Sequence, residues 1–167
     1  AKELGCENTH FMNAHGLHDD EHYTTAHDLA IITKYAMTLP YFTEISSTVS
    51  YWLPPTNVYP QKRQLLTTNK MININAEGGY YYQYAKGIKT GSHDQAGYCL
   101  VSSAIRNGYS YLCVALGAPS VDANGRSISE HEEMRDSKRL YQWAFSELAI
   151  KAIVSSEETV TEIPLMY

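Results

Sequence analysis

"GIKTGSHDQAGYCLVSSAIRNGYSYLCVALGAP", residues 87–119, is the stretch whose reading decides the fold. Asn107-Gly108 stands between two runs of β-type residues. Asn-Gly is the strongest short hairpin signal, because both turn positions need positive φ and these residues accept it. With those two residues as the loop, Arg106 pairs with Tyr109 and each residue i faces residue 215 − i. Upstream, "AKGIKTGSH" (85–93) reads as a further strand, so the stretch predicts three antiparallel strands. This register places Cys99, Val101, Ile105, Leu112, Val114 and Leu116 on one face. Tyr98, Leu100, Ala104, Tyr109, Tyr111, Cys113 and Ala115 lie on the other. Both faces are largely apolar, so the sheet is expected to be covered by helices on both sides, in an α+β fold. Cys99 and Cys113 fall on opposite faces, which excludes a disulfide between them.

The covering helices are legible on either side of this core. Thr25-Ala-His-Asp28 has the form of an N-terminal capping box, with the Asp28 carboxylate reaching back to the cap. Leu29, Ile32, Ala36 and Leu39 then recur at helical spacing until Pro40, which predicts a helix from about Ala26 to Leu39. Ser129-x-x-Glu132 reads as a second capping box, followed by a stripe of Met134, Ser137, Tyr141, Ala144, Leu148 and Ala152. "AKEL" reads as the end of a helix closed by Gly5. Between residues 41 and 75 the signals are mixed. "VSYWLPP" predicts a short strand ended by two prolines, and Leu65 to Met71 a short helix. "TVTEIPLMY" (159–167) alternates as a strand, with Pro164 placing it at an edge or a start.

The totals narrow the functional classes. The chain has 167 residues, enough for one ordinary domain, and 44% apolar against 19% charged residues suits a folded globular protein. A net charge of −5 supplies no basic field for nucleic acid. No apolar run approaches the roughly 18 residues of a transmembrane helix. The three cysteines show no C-x-x-C spacing, which argues for free thiols rather than a disulfide framework or a thiolate zinc site.

Five of the seven histidines lie between His10 and His27, and His18 to His22 spells H-x-x-E-H, an inverted zinc-protease signature. That chemistry needs both histidines on one face of a regular helix. Asp19-Asp20 is poor helix material and the next cap begins at Thr25, so His22 precedes the helix. A loop cluster of His15, His18 and His22 is the remaining metal option. A solvated polar loop is the preferred reading, with neither metal nor cofactor expected.

The stronger chemical signal is Lys89-Thr90-Gly91, on the first strand of the sheet. Lysine supplies a positive charge, threonine a hydroxyl donor, and glycine lets a substrate backbone approach with no Cβ in the way. These suit a peptide carboxylate lying along the strand. The alternative is a solvated lysine beside a glycine that marks a twist or bulge.

From about residue 1 to 154 the chain resembles the second half of the catalytic domain of the serine-type D-Ala-D-Ala carboxypeptidases. These are low-molecular-weight penicillin-binding proteins (peptidase family S11) of the β-lactamase-like superfamily. The segments that carry the resemblance are "AKELGCENTHFMNAHGLHDDEHYTTAHDLAII", "LLTTNKM", "GIKTGSHDQAGYCLVSSA", "VALGAP" and "SKRLYQWAF". They follow one another in the family's order and at its spacing. Residues 155–167 resemble the entry into the family's small C-terminal β domain. The resemblance implies that Lys89, Thr90 and Gly91 hold the substrate's terminal carboxylate. It also implies that the Ser92 backbone N–H serves the oxyanion hole, a donor worth about 3–4 kcal/mol of barrier. Arg126, in "NGRSIS", matches an arginine that anchors the carboxylate in some members, and Arg63 is a looser match. "NAHGL" (13–17) matches a structural signature in which His15 and Gly16 shape the loop.

One departure matters more than any match. The family's acyl transfer requires a nucleophilic S-x-x-K and a second motif, S-x-N. No serine in this chain has lysine at +3 or asparagine at +2. In the family both motifs precede the segment matched here. The chain is therefore expected to be a fragment that holds the recognition wall of an extracytoplasmic, cell-wall-facing carboxypeptidase and is inactive alone. The expected partners are peptidoglycan stem peptides, β-lactams, the N-terminal half of the domain and a second copy of the chain through an exposed sheet edge, with no nucleic acid. A non-catalytic peptidoglycan- or peptide-binding domain on the same scaffold is the alternative. A sporulation-type or β-lactamase-like relative is a third.

Overall fold

The computed structural model of the chain describes residues 1–148. The expected strand at 159–167, Ala152 of the helical stripe and the division between 154 and 155 lie outside the described residues.

β3 (Ala85–His93), β4 (Gly97–Arg106) and β5 (Tyr109–Ala118) form the antiparallel sheet, in the order β3-β4-β5. Asn107 and Gly108 both take positive φ, 51° and 80°, as the two-residue hairpin demands. The pairing runs from Arg106↔Tyr109 to Leu100↔Ala115, following the expected register. It then slips by one residue, so that Tyr98 faces Ala118. The slip lies beside Gly97, whose φ of 65° and close approach to the Ala118 carbonyl leave no space for a Cβ.

Each face of this sheet has its helix. α3 (Glu132–Glu147) packs Met134 and Tyr141 against Leu100 and Ala104, and Met71, Tyr80 and Tyr82 complete that core. In its centre the buried Ser102 and Tyr141 hydroxyls share a hydrogen bond of 2.9 Å, and burial pushes the Tyr141 phenol up. Cys113, on the same face, donates to the Ser137 hydroxyl at 3.5 Å. α1 (Ala26–Ala36) covers the opposite face, where Ala30, Ile31 and Met37 look onto Ser103 and Leu112. Cys6, Cys99 and Cys113 are all free thiols.

Several local expectations are corrected. α1 stops at Ala36, and the Thr38 and Leu39 N–H groups close a turn before Pro40. Half of its capping box forms, because Thr25 Oγ1 accepts the Asp28 N–H at 3.1 Å. The Asp28 carboxylate does not return to the cap. It accepts the Asn8 N–H at 2.8 Å and the Thr9 hydroxyl at 2.7 Å, tying the N-terminal segment to the helix. Those bonds, that of Thr9 foremost, hold its carboxyl below the usual range.

The second capping box is absent. α3 begins at Glu132 with His131 as its N-cap residue, and the Ser129 hydroxyl turns to Glu130 instead. The start is set by tertiary contacts, since the Tyr80 hydroxyl accepts the His131 N–H at 3.0 Å. Leu65 to Met71 is not a helix. Arg63–Leu66 is a strand, β2, paired with β1 (Ser50–Leu53), because β1 offers the ladder partner that satisfies its backbone. A short helix, α2 (Phe42–Ser47), had no sequence signal and packs against β3. "AKEL" forms only a 3₁₀ turn, Lys2–Leu4, closed by Gly5 at φ 84°.

Candidate active site

β3 is an edge strand, so among the described residues its outer side pairs with no other strand. Lys89, Thr90, Gly91 and Ser92 pair regularly with Val101, Leu100, Cys99 and Tyr98, and the irregularity of this ladder lies upstream, between Ala85 and Ile88. Gly91 therefore marks no bulge in the β3–β4 pairing. Its φ lies outside the left-handed region, and a Cβ there would meet only the Cys99 Cβ, at 4.0 Å. Neither backbone conformation nor internal crowding demands a glycine at this position.

A cleft of about 710 Å³ opens between this stretch of β3, the segment from Thr67 to Lys70 and the start of α3. The Thr68 and Thr90 hydroxyls meet at 2.5 Å. One hydrogen lies between the two oxygens, so the hydroxyl that accepts keeps its own hydrogen for a ligand. The Lys89 ammonium donates to the Thr90 carbonyl at 2.6 Å, which holds it at the strand with two further donors in hand. Ser92 is exposed at the end of the same wall. This end of the cleft is rich in donors and suits anionic or carbonyl oxygens. Among the described residues no serine hydroxyl bonds to a lysine or a histidine, so the structure holds no assembled nucleophile and base.

The structure gathers Lys89, Thr90, Gly91 and Ser92 into the wall of one cleft but leaves Arg126 outside its lining. Arg126 stands on an exposed turn in which Asp122 Oδ1 accepts the Asn124 and Arg126 N–H groups, each at 2.8 Å. These bonds hold the Asp122 carboxyl below its ordinary range. Arg63 is also not part of the lining, and its guanidinium lies 4.1 Å from the centre of the Tyr59 ring.

The cleft also takes in residues that sequence reasoning missed, among them Thr68, Lys70, His131 and Glu133. His131 Nδ1 lies 2.9 Å from Glu133 Oε1, and Glu133 is buried. Thr68 was visible only inside a family segment. "HEE" at a helix start reads as solvated charge, because residues two apart do not share a helix face.

The histidine-rich loop is not helical between Gly16 and Thr25, and its polar groups bond largely within the loop. His22 Nδ1 accepts the Met12 N–H, His10 Nδ1 meets the Glu21 carbonyl, and His18 pairs with Asp20 at 3.2 Å. Among the described residues no three His, Cys, Asp or Glu side chains stand together as a metal site. In "NAHGL", Asn13 bonds Gly16 and Leu17, and His15 Nδ1 accepts the Leu17 N–H, so the signature is a self-bonded turn.

The family profile described as D-alanyl-D-alanine carboxypeptidase, Peptidase_S11, matches residues 1–120. The carboxypeptidase DacF of Bacillus subtilis is 28% identical over 163 residues, which cover 98% of this chain and 37% of that protein. DacA of Escherichia coli K12 is 32% identical over 144 residues, 85% of this chain and 30% of its own length. The chain thus spans about a third of the length of these relatives. Among solved structures, the Streptomyces K15 DD-transpeptidase superposes with a TM-score of 0.69 at 28% identity, over 87% of this chain and 50% of that one. A Mycobacterium tuberculosis D-alanyl-D-alanine carboxypeptidase gives 0.67 at 26% identity, over 87% and 50%.

Proposed function

This chain belongs to the D-alanyl-D-alanine carboxypeptidase family, Peptidase_S11, and from that membership we propose that it forms the substrate-recognition side of a serine-type D-Ala-D-Ala carboxypeptidase. The observation that carries the reading is the β3 edge, which no strand among the described residues pairs, with Lys89, Thr90 and an otherwise unneeded Gly91 in the wall of the cleft. A stem peptide lies along that edge. Its terminal carboxylate accepts from the Thr90 hydroxyl, which Thr68 orients, and from Lys89. Gly91 lets the peptide backbone approach, and the Ser92 N–H faces the carbonyl of the scissile D-Ala–D-Ala bond. In the full reaction a serine oxygen attacks that carbonyl, the terminal D-Ala leaves, and water then releases the acyl group. The chain contains no S-x-x-K or S-x-N, so by itself it binds and does not acylate.

Stem peptides and β-lactams are the ligands this reading assigns, and the protein acts outside the cytoplasm, at the wall. Among the described residues no helix is long and apolar enough to cross a membrane. In this reading residues 1–154 belong to the catalytic domain. Arg126 has no part in this reading. The second reading is a non-catalytic peptide-binding module, favoured by the missing motifs.

The test has two parts. Titration of the ¹⁵N-labelled chain with N-acetyl-D-alanyl-D-alanine is expected to move the Lys89 to Ser92 resonances, and β3 resonances unmoved at saturating peptide would defeat the proposal. Incubation with a reactive penicillin is expected to leave the intact mass unchanged. A stoichiometric adduct would show that one of these serines is a nucleophile.

A further inference from the structure

The pair His131–Glu133 is the part of the cleft that the reading above leaves unused. Glu133 is 2% exposed, and among the described residues its Oε2 has no hydrogen-bond partner and its one ion-pairing partner is His131. The His131 ring is held on three sides. Glu133 takes Nδ1 at 2.9 Å, Tyr98 packs against the ring at 4.6 Å between centroids, and Tyr80 meets it edge-on at 5.6 Å. Tyr98 is the cross-strand partner of Ser92, and Thr90 lies two residues along the same strand, so the ring stands on the face of the sheet that carries Thr90 and Ser92. Nε2 makes no hydrogen bond among the described residues, and His131 lines the cleft.

Proton counting decides what Nε2 offers. If the pair carries a net negative charge, Nδ1–H donates to Glu133 and Nε2 is a bare acceptor. If the pair carries no net charge, the proton between its members sits on the imidazole or on the carboxyl. In both cases Nε2 carries a hydrogen. A carboxylate ligand at Nε2 favours the arrangement without net charge, in which Nε2 carries the hydrogen. Toward a carboxylate the pair therefore acts as an N–H donor.

We propose that His131, held by Glu133, is a specificity-determining donor whose Nε2–H binds the second oxygen of the carboxylate that Thr90 receives. This rests on the reading of the cleft as a carboxylate site. It gives the cleft a further donor beside Thr90 and Lys89, in the role that the resemblance gave to Arg126.

The experiment uses this chain with N-acetyl-D-alanyl-D-alanine and the corresponding C-terminal amide as probes. His131→Phe keeps a ring against Tyr98 and removes Nε2–H, and Glu133→Gln removes the carboxylate charge that favours a hydrogen on both ring nitrogens. Each is expected to weaken binding of the acid roughly tenfold or more, as loss of a hydrogen bond to a charged group does. The double variant should be no weaker than either single, and amide binding should not change. In the wild-type chain the His131 Nε2 resonance should move on addition of the acid and stay in place with the amide. Acid affinity within twofold of wild type in both variants overturns the inference, as does an unmoved Nε2 resonance, which decides the matter if a variant fails to fold. Lys89→Ala separates the two levels. If it weakens acid binding while His131→Phe does not, the carboxylate reading stands and only the role of His131 falls. If the wild-type chain does not prefer the acid to the amide, both fall.

Discussion

Gly91→Ala separates the needs of the fold from those of the ligand. The added Cβ meets only the Cys99 Cβ at 4.0 Å, an ordinary contact, and φ at this position is not one that L residues avoid. The folded chain therefore gains no strain. The unfolded chain loses conformational freedom, which for a compatible Gly→Ala change is worth about 0.4–1 kcal/mol of stability. In a domain of this size that is a rise in Tm of about 1–4 °C. Binding should respond in the opposite sense. A methyl group in the path of a peptide on the β3 edge is an overpacking change of about 1–3 kcal/mol, or roughly 5- to 150-fold in Kd. Thermal unfolding and titration with N-acetyl-D-alanyl-D-alanine, run on the same preparation, read both quantities. A Tm lowered by several degrees with peptide affinity intact would refute the reasoning, because Gly91 would then serve the strand and not the ligand.

Asp28→Asn should lower the unfolding midpoint at neutral pH, since Asn8 and Thr9 lose a charged acceptor. The folded carboxyl lies below its unfolded value, so its contribution is present above about pH 4 and is lost as pH falls through the folded value. Urea unfolding from pH 3 to 6 should show a steeper acid loss in the wild type than in the variant, and parallel curves would contradict this. Tyr141→Phe strands the buried Ser102 hydroxyl and should cost about 1–3 kcal/mol by urea denaturation, while a double change with Ser102→Ala should recover part of it. The open β3 edge, together with exposed Tyr51, Trp52 and Leu66 on the β1–β2 hairpin, should drive self-association. A monomer by light scattering at high concentration would count against it.

The parts of the fold that were legible share a physical property: their causes are local. Positive φ at Asn107-Gly108 and a period of two set the β4–β5 register from Arg106 to Leu100 without reference to anything else. The slip beyond Leu100 was not legible, because it depends on how closely Gly97 approaches Ala118 across the hairpin. The Leu65–Met71 stretch failed for a similar reason. A short stretch without a clear period is ambiguous between helix and strand until its partner is known, and here β1 was the partner of Arg63–Leu66.

The same division runs through the cleft. Lys89, Thr90, Gly91 and Ser92 could be named from sequence, as one strand carries them all. Taken alone, the sequence determined the sheet, its register over most of the hairpin, the stripe of α3 from Met134 to Ala144, though not Leu148, which is exposed past the helix end, and the four residues along one strand. Tertiary structure alone decided that Thr68 meets Thr90, that Asp28 serves Asn8 and Thr9 rather than its own cap, and that Tyr80 starts α3 at Glu132 with His131 and Glu133 beside the cleft. A backbone pattern propagates from neighbour to neighbour along the chain. A polar side chain leaving water takes whichever partner the packed elements bring within about 3 Å, and no local rule specifies which that will be.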